Sequence, residues 1–317
     1  MALPTPSSTV QVYLLNGGSM TAEYHKLHAG EPPAKEFRMY NWCFLIHHVE
    51  QKRWVLWDLG MSSNPDDFPP VIANGVIKEA HVLDPFEPLT AQIQRRAGIT
   101  AEEIDTVILS HAHFDHARPI STIFPSATAY FGPGTSEYCA PGHLTDPSSP
   151  WDGRYFDPNP ENVTERWEML PGPWVPFRTF EKAMDFFGDG SFWVVSAPGH
   201  LPGNLCAVAR VGVQGKGGEW VVLGSDCCHS RALLNGTKLF GTFSLPNGDT
   251  ISLHTDADAA YDTLAKLRTM EKEMGMHVAL AHDASWMEEG TDRVLMSLLD
   301  ERFCEDVRRA LRIGEPF

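Results

Sequence analysis

The chain has 317 residues, 43% of them apolar and 21% charged, the balance of a globular protein with enough apolar material for a sizeable core. Its 41 acidic against 25 basic residues leave a formal net charge of −16, a field that repels phosphate backbones and anionic lipid surfaces and so argues against nucleic acid or a membrane as partner. No run nears the ~18 consecutive apolar residues of a membrane helix. Met1–Ser8 has no basic segment followed by an apolar one, so no secretory leader is expected there.

Taken in chain order, β-branched and aromatic runs predict strands at 10–15, 42–48, 53–57, 106–110, 127–131, 192–197, 205–211, 220–224 and 277–281. Helical periodicity interleaves with them. A short helix is expected at 88–97. A longer one at 256–274 has an acidic start and apolar residues at Tyr261, Leu264, Leu267 and Met270, and a final helix at 292–311 carries Val294, Leu295, Leu298, Leu299 and Phe303 on one face. Strands with interspersed helices predict a layered α/β sandwich formed as a single domain over 1–317. Two insertions stand out. Residues 61–87 are proline-rich with little periodicity, a loop or lid composition. Residues 132–190 are rich in Pro, Gly and aromatics, including Tyr138, Trp151, Tyr155, Trp167 and Trp174, which argues against disorder.

Six cysteines at 43, 139, 206, 227, 228 and 304 show no CxxC spacing, and two are adjacent. That pattern suits reduced, buried thiols in a reducing compartment, hence a cytoplasmic location. The sequons at Asn162 and Asn235 read as ordinary loop sequence without a secretory signal.

The chemistry concentrates in His111-Ala112-His113-Phe114-Asp115-His116. Three imidazoles and a carboxylate in six residues resist burial unless a cation sits among them. From this composition, such a pattern arises by chance in roughly two of a thousand such chains. The run at 106–110 places the cluster on the loop leaving a strand, where a rigid scaffold aims side chains into a cleft. Three more donors follow apolar strand-like runs: His200 after Ala197-Pro198-Gly199, Asp226 after Leu223-Gly224-Ser225, and His282 after Leu280-Ala281.

The order HAHFDH, then Gly-His, then Ser-Asp, then Ala-His resembles the metallo-β-lactamase superfamily, over most of the chain from the early strands through His282. The resemblance implies a four-layer αβ/βα sandwich and two divalent ions. His111, His113 and His200 would bind one, Asp115, His116 and His282 the other, and Asp226 would bridge them. Neutral imidazole and carboxylate donors suit zinc, with iron or manganese as alternatives. Two such ions acidify a bridging water to a hydroxide nucleophile, and Asp115 would carry its proton to the leaving group. Asp58, in Trp57-Asp58-Leu59-Gly60, matches the superfamily's early Asp-x-Gly turn and would orient a ligand from behind.

Within the superfamily the chain most resembles the N-acyl-homoserine lactonases. Three residues past the bridging aspartate, where that branch typically has a substrate-binding tyrosine, stands His229, which could donate to the substrate carbonyl or leaving oxygen. His47, His48, His81, His143, His254 and His277 read as packed or surface histidines. The expected reaction is opening of a cyclic ester or amide ring, a lactonase or detoxifying lactamase, on a small apolar cyclic substrate, by a monomer or homodimer. Thioester hydrolysis (glyoxalase II-like) and phosphodiester hydrolysis are the alternatives, along with a mononuclear iron persulfide dioxygenase. A non-catalytic scaffold is the remote one, disfavoured because all seven ligands are present.

Overall fold

Two six-stranded sheets carry the computed structural model, which describes residues 8–212, 218–245 and 248–313. Residues 1–7, most of the segment read above as leader-free, lie outside the described residues. The first sheet runs in the order β1 (Gln11–Glu23), β2 (Glu36–His48), β3 (Arg53–Trp57), β4 (Thr106–Ile108), β5 (Thr128–Phe131), β6 (Trp167–Met169). In the second, β7 (Val175–Phe177), β8 (Phe180–Asp185), β9 (Phe192–Ser196), β10 (Leu205–Val211) and β11 (Glu219–Leu223) pair in sequence. A two-residue ribbon, β12 (Phe243–Ser244) and β13 (Thr250–Ile251), intervenes before β14 (His277–Ala279) joins the second sheet beside β11. The architecture is mixed α/β on two sheets.

The chain divides into two compact units. Among the described residues one, here the N-terminal unit, comprises Val12–Met20 and Tyr40–Leu170; the other, the C-terminal unit, takes in residues 8–11, Thr21–Met39 and residues 171–313. In the N-terminal unit β3, β4, β5 and β6 are successive parallel neighbours. Parallel strands are buried on both faces, which explains their continuous apolar runs. Leu45, Leu56, Val107 and Ala129 pack there against Ile93 of the helix Leu89–Ala97 and against Phe124 and Phe131.

In the C-terminal unit β9 and β11 flank β10 antiparallel to it, and β14 pairs parallel with β11. So β9, β11 and β14 all point the same way, and their C-terminal ends share one edge of the sheet. The helix Ala257–Lys272 starts where Asp256 Oδ1 accepts the Ala259 amide at 3.0 Å, a standard N-cap. It buries Ala260, Leu264, Leu267 and Met270 against Val195, Val208, Val222 and Val278, each large side chain contributing on the order of 1.5–3 kcal/mol.

Two expectations change. The last helix is not continuous over 292–311 but splits into Arg293–Met296 and Glu301–Ile313. Two aspartates compete for the role of helix start: Asp292 Oδ1 accepts the Val294 and Leu295 amides, and Asp300 Oδ1 accepts that of Phe303 at 2.6 Å. Residues 132–190, read as an insertion, contribute β6, β7 and β8 to the sheets. Residues 61–87 form short turns whose Met61, Phe68, Ala73, Ile77 and Val82 pack as a small cluster with Phe114.

One ion pair ties the start of β14 to the cap of the helix Arg293–Met296. His277 Nδ1 lies 2.7 Å from Asp292 Oδ2, and this bond raises the imidazole's pKa against the opposing effect of burial. Burial raises the Asp292 carboxyl, but the His277 bond and the Leu295 and Val294 amides outweigh it and hold it low. A histidine raised in the folded state stabilises fully below its unfolded pKa of about 6.5 and loses that contribution as pH rises through the folded value. The denaturation midpoint of His277→Gln should therefore fall further below wild type at pH 6 than at pH 9; an equal deficit at both would remove the charge from this account.

Candidate metal centre

In the N-terminal unit the donor loop begins where β4 ends. The Asp58 amide donates to Ile108 O at 3.0 Å, and the Leu59 amide to His116 O at 3.0 Å, so the exits of the parallel neighbours β3 and β4 are laced together. Asp58 itself has φ +60°, a left-handed conformation that aspartate tolerates better than most residues. Gly60 follows at φ +70°, and a Cβ there would meet Gly17 O at 2.4 Å. Only glycine lets the turn come that close.

Asp58 is almost completely buried, at 1% exposure. Its Oδ1 accepts the Ser110 amide at 2.7 Å; its Oδ2 accepts the Ser110 hydroxyl at 2.8 Å and faces His116 Nδ1 at 2.9 Å. With the carboxylate as acceptor, His116 carries its proton on Nδ1, leaving the Nε2 lone pair available. Ser110 Oγ, having given its proton to Asp58, accepts from His111 Nδ1 at 3.0 Å, which directs the Nε2 lone pair of His111 outward as well. A metal-ligating histidine needs this arrangement, a partner on one nitrogen and a lone pair on the other.

His111 Nε2 and His113 Nδ1 lie 3.1 Å apart, and His116 Nε2 lies 3.6 Å from Asp115 Oδ2. Donors bonded at about 2.0–2.1 Å to one tetrahedral zinc stand about 3.3 Å from each other. Asn41 Nδ2, fully buried in β2, donates to Asp115 O at 2.7 Å and approaches its Oδ2 at 3.4 Å. The donor set therefore suits a divalent cation in spacing, tautomer and chemistry.

In the C-terminal unit the three remaining donors leave the aligned ends of β9, β11 and β14. Gly199 has φ +128°, and a Cβ there would strike the Ala260 amide nitrogen at 2.3 Å, so His200 follows a glycine-only turn against the helix Ala257–Lys272. Ser225, at φ +45°, turns the chain into Asp226. The Gly224 amide donates to Ala279 O at 2.7 Å and the Ala281 amide to Ser225 O at 3.4 Å, extending the β11–β14 register to bring Asp226 beside His282.

Asp226, 2% exposed, is ringed by imidazoles. His200 Nε2 lies 3.6 Å from Oδ2, and His282 Nε2 lies 3.1 Å from the other oxygen, Oδ1. One carboxylate thus presents its two oxygens to different histidines. His229 Nε2 sits 3.0 Å from Oδ2, its ring parallel to that of His282 at 5.5 Å.

Sequence reasoning passed over three members of these clusters. His254, buried, has its ring centroid 5.2 Å from His200, 5.6 Å from His229 and 4.0 Å from Phe240; nothing local marks it, since the strand before it, β13, is only two exposed residues long. Asn41 did leave a signal, a lone amide inside the apolar run Tyr40–Leu45. Ser110 was read only as the end of a strand.

Comparison with known proteins places these geometries in context. Residues 38–118 match the family described as the metallo-beta-lactamase superfamily. The chain is 31% identical over 300 residues to a cytochrome P450 monooxygenase, mpaDE', of Penicillium brevicompactum, covering 89% of this chain and 34% of that protein. It spans about a third of the length of the first curated relatives it matches. It is also 30% identical over 181 residues to the gamma-lactamase MBL2 of Gibberella moniliformis, covering 55% of this chain and 70% of that one. Among solved structures, a B. thuringiensis AiiA mutant with N-decanoyl-L-homoserine at its active site superposes with a TM-score of 0.63 at 16% identity, covering 89% and 96% of the two chains.

Asp58→Ala removes the acceptor that fixes both histidine tautomers. Metal affinity, read by competition with a chromogenic chelator, should drop about 10–100-fold, while Asp58→Asn should lose less. An unchanged affinity in the alanine variant would show that the tautomers are held by other means.

Proposed function

Because the chain belongs to the metallo-β-lactamase superfamily, we propose that it is a metal-dependent hydrolase that opens a cyclic ester or amide ring. In this reading His111, His113 and His200 hold one divalent ion, Asp115, His116 and His282 a second, and Asp226 joins the two. The observation that carries it is the split engagement of Asp226, with His200 on one oxygen and His282 on the other. Ring opening is supported by a relative named as a gamma-lactamase and by a fold neighbour that holds N-decanoyl-L-homoserine.

When bound, the ions acidify a water toward pKa ~7 and polarise the carbonyl. The residues do the rest. Asp115, held by Asn41 through its own backbone carbonyl, takes the nucleophile's proton and returns it to the departing ring oxygen or nitrogen. His229 is the donor to the substrate carbonyl or leaving atom, its ring steadied by Asp226.

Zinc is the favoured ion, because its preferred donors are those present; manganese and iron are the other candidates. The chain is read as a single domain, in a monomer or homodimer, with detoxification as the role. The substrate is small, apolar and cyclic; the charge of −16 argues against nucleic acid. None of the six cysteines forms a disulfide among the described residues, and five are buried, which favours a cytoplasmic location. No helix among the described residues is long and apolar enough to cross a membrane.

Zinc-, manganese- and iron-loaded protein assayed against lactones, lactams, thioesters and phosphodiesters should hydrolyse a lactone or lactam fastest; turnover of phosphodiesters alone would overturn the reading. His113→Ala should abolish hydrolysis and lower bound metal, whereas His229→Ala should lower kcat with metal stoichiometry intact. Metal loss in the His229 variant would make that residue a ligand, and full activity of Asp115→Asn with two bound metals would remove the proton-transfer role.

A further inference from the structure

The donor loop is unevenly covered. His111, Asp115 and His116 are buried, whereas Ala112, His113 and Phe114 are only half-buried, so the open rim of this half of the centre lies at His113–Phe114. At that rim the indole of Trp151 lies parallel to the His113 imidazole, 13° between planes and 5.9 Å between centroids. Tyr138 meets the indole edge-on at 5.5 Å and is 41% exposed, and Leu144 in the same segment is 46% exposed.

The segment that presents Trp151 is braced. The His143 amide donates to Trp151 O at 2.9 Å, and His143 Nδ1 accepts the Gly153 amide at 3.0 Å. Gly142 and Gly153 press so closely that a Cβ on the former would meet Gly153 Cα at 2.3 Å. Arg154 grips Asp152 through Nε and Nη2 and reaches Asp66 O and Asp67 O, while Tyr155 donates to Arg118 O at 2.9 Å. A braced, half-exposed indole beside a metal-ligating imidazole is a preorganised binding surface.

We propose that Trp151 is a specificity-determining residue: the indole is the platform on which a planar, conjugated ring fused to the scissile lactone or lactam lies. A flat ring whose carbonyl reaches an ion held by His113 runs along the indole, because the two planes are parallel, and gains the offset stacking that aromatic pairs favour. A flexible acyl chain gains only apolar contact. The inference rests on the ring-opening reading for its chemistry and on Trp151 for its selectivity.

Calorimetric titration of the metal-loaded protein with two ring-opened products tests it. These are o-hydroxymethylbenzoate, from a benzo-fused γ-lactone, and γ-hydroxybutyrate, from the unfused ring. Both carry one carboxylate and one hydroxyl, so their attraction to the ions cancels in the comparison. Wild type should bind the aromatic acid about tenfold more tightly, and Trp151→Ala should lose about tenfold for that acid and less than twofold for the aliphatic one. Trp151→Leu, which keeps apolar bulk without a flat face, should match the alanine variant, and Trp151→Phe should retain most of the preference. The proposal is overturned if wild type shows no preference or no binding, or if Trp151→Ala and Trp151→Leu weaken both acids equally or neither. Should the binding pattern hold with no lactone or lactam of the panel hydrolysed, the ring-opening reading fails and the platform stands.

Discussion

A charged carboxylate buried to 1% exposure is tolerable only if its lone pairs are filled, and Asp58 fills them with one amide, one hydroxyl and one imidazole. Those same three bonds organise the donor loop. Each proton given to Asp58 is withdrawn from a nitrogen or oxygen that would otherwise point its donor the wrong way, so solving the burial problem also sets the tautomer of His116 and, through Ser110, that of His111. The left-handed backbone at Asp58 costs on the order of 1–2 kcal/mol, and charge-assisted bonds of about 1.5–3 kcal/mol each offset it.

The C-terminal unit reaches a similar end by strand direction. Because β9, β11 and β14 share a direction, three donors spread over some eighty residues of sequence emerge at one edge of one sheet. The turns that deliver them are sharp: a glycine before His200 and a left-handed serine before Asp226. Around Asp226 the imidazoles of His200, His229 and His282 supply more nitrogen than one carboxylate needs, an arrangement that suits cations shared among them better than a purely structural network.

Most of the scaffold was legible in advance because β-branched runs bury on both faces of a sheet whatever their partners. The runs at 53–57 and 205–211 coincide with β3 and β10, and the helix expected at 256–274 appears as Ala257–Lys272. The misses have a common cause. β6 and β7 are three residues long and carry exposed positions, so their strand character comes from the neighbour they pair with rather than from their own pattern. The break at Ser297–Asp300 depends on which of two aspartates captures which amides, a competition that periodicity does not express.

The donor types, their spacing and their positions after strands belong to the sequence itself, because residue chemistry and strand exit are local properties. It names His111, His113, Asp115, His116, His200, Asp226 and His282 as candidate donors. Tertiary structure alone decided the rest. Asp58 and Ser110 set the histidine tautomers across fifty-two residues, Asn41 reaches Asp115 across seventy-four, and His254 joins His200 through a fold it does nothing locally to announce. The parallel alignment of Trp151 with His113 likewise arises from a segment braced by its own hydrogen bonds. Hydrogen-bond direction and ring orientation depend on contacts between distant segments, and no local pattern encodes them.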